Sequence, residues 1–140
     1  PDPSLQSALI ATAHCGIDVT LIVPEKNDSR LVSLASAPYQ EELVQAGVRV
    51  LLFQGGLLHT KSITIDDRIS LFGSLNLDLR SLHLNFEITL AVYDTPFTNQ
   101  LRRLQQSYMQ STVERKTLIH RPTLPRRVLE NTVRLLAPLL

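Results

Sequence analysis

Leu58-His59-Thr60-Lys61-Ser62-Ile63-Thr64-Ile65-Asp66-Asp67-Arg68-Ile69-Ser70-Leu71-Phe72-Gly73 is the stretch on which the fold turns. Two runs rich in β-branched residues, 58–65 and 69–73, flank Asp66-Asp67-Arg68, a tripeptide suited to a tight turn. The pattern predicts an antiparallel hairpin, and Phe86-Glu87-Ile88-Thr89-Leu90-Ala91-Val92 predicts a further strand beside it. Upstream of Gly55-Gly56 the pattern changes to alternating helix and strand. A helix is expected over 4–15 with Ser4 as its cap and Gly16 as its stop. A buried strand follows over 17–23, then a polar loop. A helix over 30–46 is expected to be interrupted at Pro38 and closed by Gly47, and a strand is expected over 48–54. Downstream, helices are expected over 97–113 and 125–140. The whole predicts an α/β layer architecture with parallel pairing in its first part.

The 140 residues suffice for one domain or part of a larger one. Apolar residues make up 44% and charged residues 19%, which supports a packed core and excludes a disordered tail. The single cysteine, Cys15, excludes an internal disulfide framework and a cysteine-based zinc knuckle. No uncharged apolar run reaches about 18 residues, and no signal-peptide pattern is present. The opening Pro1-Asp2-Pro3 reads as a cut through a longer chain. Net charge is +1 but unevenly spread: residues 1–101 carry a balance of −5 and residues 102–140 a balance of +6. The basic end reads as a solvated helix or as a surface that meets an anion, phospholipid headgroups or nucleic acid.

The chemistry-bearing residues cluster around the hairpin. On a strand, His59 and Lys61 share a face. An imidazole that attacks phosphorus or moves a proton, beside an ammonium that stabilises phosphoryl oxygens, suits a phosphate ester. Lysine is a poor metal ligand, and no second histidine or carboxylate stands at a ligand spacing from His59. Strand parity puts Asp66 on the opposite face from Lys61, so a role in the turn and contact with substrate both stay open. Ser74 and Asn76, two residues apart after Gly73, are uncharged donors suited to phosphate oxygens; both residue types also favour turns and helix caps. Glu87 sits within an apolar strand. Buried, it needs a partner such as an imidazole N–H; on an exposed edge it needs none.

His59-x-Lys61-x4-Asp66, followed by Gly73-Ser74-x-Asn76, Arg80-Ser81 and Asn85-Phe86-Glu87, resembles the second HKD motif of the phospholipase D superfamily. The flanking stretches resemble the C-terminal half of bacterial cardiolipin synthases. The resemblance covers nearly the whole chain and is most specific in residues 41–92. It implies a phospholipase D-like mixed β-sheet flanked by helices, here an incomplete single repeat lacking a core strand before Pro1. It divides the chain into a truncated phospholipase D-like domain over 1–120 and a basic amphipathic helix over 121–140.

The resemblance further implies a phosphatidyltransferase that joins two phosphatidylglycerol molecules into cardiolipin and releases glycerol. The reaction passes through a phosphohistidine, with no cofactor and no metal. His59 becomes one of two catalytic histidines. Lys61 and Asn76 bind phosphate oxygens with Ser74 beside them, Glu87 orients His59, and Asp66 completes the motif. His14, His83 and His120 lack a lysine two residues on, so one motif is present. The other would come from an N-terminal half of the same polypeptide or from a second copy, as in the superfamily's small nucleases. Alone, the chain is expected to be nearly inactive, since it lacks the acid for the leaving group; general acid catalysis contributes about 10²–10⁴-fold.

The C-terminal stretch points to a membrane on its own terms. At helical spacing Val128, Leu129, Val133, Leu135, Leu136 and Leu139 fall within an arc of roughly 160°. Arg127 and Arg134 fall outside it and Arg126 at its border, a pattern that suits either a core-facing helix or docking on an anionic surface. The partners implied are anionic phospholipid, phosphatidylglycerol and cardiolipin, and a membrane surface. The location implied is the bacterial inner membrane, with the anchor in a segment outside this chain. Nucleic acid is disfavoured, because residues 1–101 are net acidic and aromatics are only 5%. Two other readings stand beside the transferase: a phosphodiesterase of the same superfamily using water, and a non-catalytic membrane-binding fragment.

Overall fold

The computed structural model describes residues 2–26 and 30–116. Helix α1 spans Pro3–His14. Its cap is Asp2 rather than the expected Ser4. The Asp2 carboxylate accepts from the Ser4 N–H at 2.9 Å and the Leu5 N–H at 3.0 Å. Pro3 explains the shift: it lacks an N–H and its fixed φ starts the helix, which leaves Asp2 as the capping residue. Strand β1 (Thr20–Pro24) begins later than expected, because Ile17 and Asp18 lie exposed in the approach to it.

Helix α2 spans Arg30–Gln45 and runs through Pro38 without interruption. A proline inside a helix removes one hydrogen bond and crowds the preceding turn, a local cost of about 3 kcal/mol. The apolar face beyond it carries the helix across. Leu43 is buried with Val48 and Val50, each contributing roughly 1.5–3 kcal/mol of burial, and Leu9 and Ile10 of α1 pack on the same cluster. Gly47 ends α2 at φ 95°: its N–H reaches Val44 C=O while Val48 N–H reaches Leu43 C=O, the paired bonds of a Schellman cap.

Strand β2 (Arg49–Phe53) pairs in parallel with β1, Thr20 opposite Arg49. Beyond Gly55-Gly56 come β3 (Lys61–Ile65), β4 (Ile69–Gly73), the short helix α3 (Leu79–His83) and β5 (Thr89–Val92). The β3–β4–β5 group is antiparallel throughout, with Lys61 opposite Gly73 and Gly73 opposite Thr89. The expected hairpin turn is present. Asp66 and Asp67 take φ of 50° and 55°, a conformation aspartate tolerates, and Arg68 N–H closes on Ile65 C=O at 3.0 Å.

Helix α4 (Thr95–Met109) starts earlier and ends sooner than expected. Asp94 caps it through the Phe97 N–H at 2.7 Å, with Pro96 in the first turn. The residues after its end form a strand that sequence reading missed, β6 (Thr112–Glu114), antiparallel to β2. The β structure is therefore mixed and flanked by helices, the α/β arrangement expected from the sequence, and its strands bond as two groups, β1-β2-β6 and β3-β4-β5. Helix α4 joins the groups: Tyr108 meets Phe53 edge-on at 5.8 Å, and Phe97 meets Phe72 at 5.5 Å. The helix expected over 125–140 lies outside the described residues.

Candidate functional site

The antiparallel hairpin returns the start of β3 and the end of β4 to one end of the sheet. Lys61 opens β3, and the chain before it carries His59, exposed and outside the strand expected over 58–65. The Lys61 ammonium lies 3.0 Å from His59 Nδ1, 2.8 Å from Nε2 and 3.0 Å from the His59 carbonyl oxygen. An ammonium can only donate, so a ring nitrogen bonded to it is the acceptor, and the tautomer sets which of the two it is.

Gly73 ends β4 opposite Lys61, and Ser74 and Asn76 follow it at the same end of the sheet. The approach of the chain before β5 is close there: a Cβ on Gly73 would stand 2.0 Å from the Ile88 carbonyl oxygen, so only glycine fits. Ser74 N–H donates to that same carbonyl at 3.0 Å, and Ser74 Oγ accepts from Ile88 N–H at 3.1 Å. The Ser74 hydroxyl donates to the Glu87 carboxylate, whose other oxygen accepts from Asn85 Nδ2 at 3.4 Å. Glu87 is half-buried and precedes β5, rather than lying inside the strand expected over 86–92. Its partners among the described residues are Ser74 and Asn85, while His59 is engaged by Lys61.

Asn76 donates to Ser81 Oγ at 3.3 Å. Ser81 is itself buried and fixed by Asp78, which accepts from its N–H at 2.8 Å. That bond uses one of the two N–H groups of the Asn76 amide. Asp66 lies elsewhere. It occupies the hairpin turn, five residues along the strand from Lys61 and so about 16 Å away. There it lines a depression with Ile65, Arg68, Ile69, Tyr93 and Thr95. Its neighbour Asp67 pairs with Arg102 of α4, anchoring the turn. Arg126, Arg127 and Arg134 lie outside the described residues.

Sequence reading missed one tie behind the site. Asp2 N–H reaches the Leu77 carbonyl at 3.2 Å, and its carboxylate lies 3.2 Å from His83 Nε2. The Leu5 N–H, then His83 and the Ser4 N–H, hold the Asp2 carboxyl below the usual carboxylate range against its burial. The Asp-Pro pair ahead of an apolar helix was the available signal. Among the described residues no three His, Cys, Asp or Glu side chains gather as they would around a metal ion.

An imidazole beside an ammonium, with an amide donor on the adjoining turn of a mixed α/β fold, defines a phospholipase D-type domain suited to phosphodiester chemistry. Residues 1–109 match the family described as cardiolipin synthase, PLD-like domain, and the chain belongs to that family. Cardiolipin synthase A of Salmonella arizonae and of Salmonella newport are each 44% identical to it over 142 residues. The match takes in 100% of this chain and 29% of theirs, so the chain spans less than a third of those relatives. The crystal structure of Nuc, a phospholipase D family member from Salmonella typhimurium, superposes with a TM-score of 0.73 at 20% identity, over 81% of this chain and 74% of that one. That likeness is one of fold.

Proposed function

We propose that the chain supplies one half of a phosphatidyltransferase site that makes cardiolipin from two phosphatidylglycerol molecules and releases glycerol. The observation that carries this reading is the His59–Lys61 pair at the sheet end shared with Ser74 and Asn76. The 44% identity to cardiolipin synthase A across the whole chain supports the choice of substrate. A His59 ring nitrogen attacks the phosphorus of the first phosphatidylglycerol. A P–N bond forms, the P–O bond to the headgroup glycerol breaks, and the departing oxygen takes a proton from the histidine of a second motif. A hydroxyl of the second phosphatidylglycerol gives its proton back to that histidine and attacks phosphorus, and the P–N bond breaks. Lys61 and Asn76 hold the phosphoryl oxygens as charge builds on them. Glu87 orients the His59 ring, exchanging one of its bonds to Ser74 or Asn85 to do so. Asp66 acts through the hairpin turn.

The second histidine comes from another part of the polypeptide or from a second copy. The membrane is the workplace, since both substrates reside there; among the described residues no helix is long and apolar enough to cross it. The exposure of His59 favours a second reading in which water replaces the acceptor lipid. The two are separated by supplying phosphatidylglycerol vesicles to protein containing both motifs. Transfer yields cardiolipin and glycerol, hydrolysis yields phosphatidic acid and glycerol, and neither product leaves a lipid-binding fragment.

A further inference from the structure

Residues 76–83 carry a proposed phosphate ligand on a segment that cannot hold itself in place. Helix α3 has five residues, far below the roughly 12–15 at which an isolated helix is even marginal. Internal bonds give the segment a shape. Asn76 donates to Ser81 Oγ, Ser81 N–H donates to Asp78 at 2.8 Å, and Leu82 N–H reaches the Asp78 carbonyl at 3.0 Å. None of these fixes the segment against the rest of the fold. Among the described residues, the two hydrogen bonds that tie it to a distant part of the chain both end on Asp2. The Asp2 N–H reaches the Leu77 carbonyl at 3.2 Å, and the Asp2 carboxylate lies 3.2 Å from His83 Nε2.

We propose that Asp2 and His83 are positioning residues that set the Asn76 amide against the phosphoryl oxygens. This rests on the reading that Asn76 binds the substrate phosphate. Asp2 meets the segment at both ends: Leu77 directly follows Asn76, and His83 ends α3. The anchor is rigid. Asp2 is buried and caps α1, and Leu9 and Ile10 of that helix pack on the core of Leu43, Val48 and Val50. The two carboxylate oxygens divide the work. Oδ1 takes both capping N–H groups, while Oδ2 faces His83, so capping alone does not account for the carboxylate. Packing does not account for His83 either, since its side chain is 63% exposed. Its contact with Asp2 supplies direction, and Asn76 lies at the other end of the segment so directed. A misplacement of 1 Å at a reacting centre costs up to about 10²-fold in rate, so a tie of this kind reaches the chemistry without touching substrate.

The test uses protein carrying both histidine motifs on phosphatidylglycerol vesicles, with kcat read from glycerol release, which transfer and hydrolysis share. His83→Ala should lower kcat roughly tenfold with KM nearly unchanged, because Asn76 acts as charge builds on the oxygens. His83→Gln, which keeps a donor near the carboxylate, should restore most of the loss. Asp2→Ser keeps a helix cap but is too short to reach His83. It should match His83→Ala, and the double variant should be no worse than either. In an Asn76→Ala background, His83→Ala should cost nothing further. A tenfold loss that persists in that background would overturn the inference, since a purely structural effect adds to the loss of Asn76 rather than passing through it. Unchanged kcat in His83→Ala would overturn it as well. Hydrogen exchange over residues 76–83 judges the tie apart from turnover. It should quicken in His83→Ala while exchange over α4 holds, and equal exchange over 76–83 would overturn the inference. If the unsubstituted protein releases no glycerol although His83→Ala quickens exchange, the functional reading fails and the hold on Asn76 stands.

Discussion

The Ser74 hydroxyl donates to the Glu87 carboxylate and accepts the Ile88 N–H at 3.1 Å, latching the turn after β4 to the segment before β5. Both segments carry proposed site residues, so this one oxygen sets the spacing between them. Ser74→Ala leaves the Ile88 N–H without its partner and Glu87 with only Asn85. With both histidine motifs present, kcat should fall roughly 10–100-fold, the size of a lost hydrogen bond to a charged group. Ser74→Thr, which keeps the hydroxyl, should recover most of it. Steady-state kinetics on phosphatidylglycerol vesicles decides the point; unchanged kcat in Ser74→Ala would remove the latch from the mechanism.

In protein carrying both histidine motifs, His59→Ala should reduce turnover below a tenth of the unsubstituted protein and abolish the acid-labile phosphoprotein formed on mixing with substrate. Lys61→Met should keep the fold but lower kcat by about 10²-fold or more, since the ammonium serves the charge that develops on phosphorus oxygens. Rapid-quench labelling with phosphatidylglycerol radiolabelled at its phosphorus measures both.

Gly73→Ala should destabilise the chain by about 1–3 kcal/mol, because the new methyl meets the Ile88 carbonyl oxygen at 2.0 Å and β4 and β5 must part. Urea unfolding followed by circular dichroism would show the drop in midpoint. An unchanged midpoint would mean the two strands separate freely at that end.

Asp2 gives the fold a definable acid sensitivity. Its carboxyl is held below the ordinary range by the Leu5 N–H first, so the unfolded chain takes up a proton at higher pH than the folded one. Its contribution is present above the ordinary carboxylate pKa and is lost as pH falls through the folded value. Asp2→Asn keeps an acceptor for the cap but no charge. The gap in urea midpoint between the two proteins should be constant at neutral pH and close under acid. A gap that persists at the acid end would assign it to shape rather than charge.

Neutralising Arg126, Arg127 and Arg134 together should weaken binding to phosphatidylglycerol vesicles, by about 1 kcal/mol for each residue near the surface. Binding to neutral vesicles should hold. Equal loss on both, measured by vesicle sedimentation, would place these residues in folding instead.

The hairpin was readable because Asp66-Asp67 stands between two β-branched runs, and His59 with Lys61 because chemistry and spacing coincide there. Other features escaped for physical reasons. Strand β6 has three residues, too short to show a period, and borrows its partner β2 from sixty residues upstream. Pro38 reads as a break, yet tertiary burial of Leu43 overrides local preference. The partners of Glu87 depend on where the chain before β5 crosses the end of β4, a distance no local pattern encodes. Ser4 and Asp2 are both good caps, and only the position of Pro3 between them decides.

The contact between α4 and the hairpin is largely made by alcohols and an amide. Thr98 donates to Ser70 at 3.2 Å with both buried, and Gln105 accepts from Thr64 at 2.7 Å while donating to Ser62 at 3.1 Å. Oil tolerates sliding; these groups do not, because a slip of one residue would strand each hydroxyl and swing Ile63 and Ile65 beneath the helix. The same slip would carry Lys61 to the opposite side from His59. These five modest side chains therefore work as a combination lock on the proposed pair, His59 and Lys61. Replacements such as Ser70→Ala or Thr98→Val, innocuous by volume, should relax the one alignment in which the proposed site is assembled.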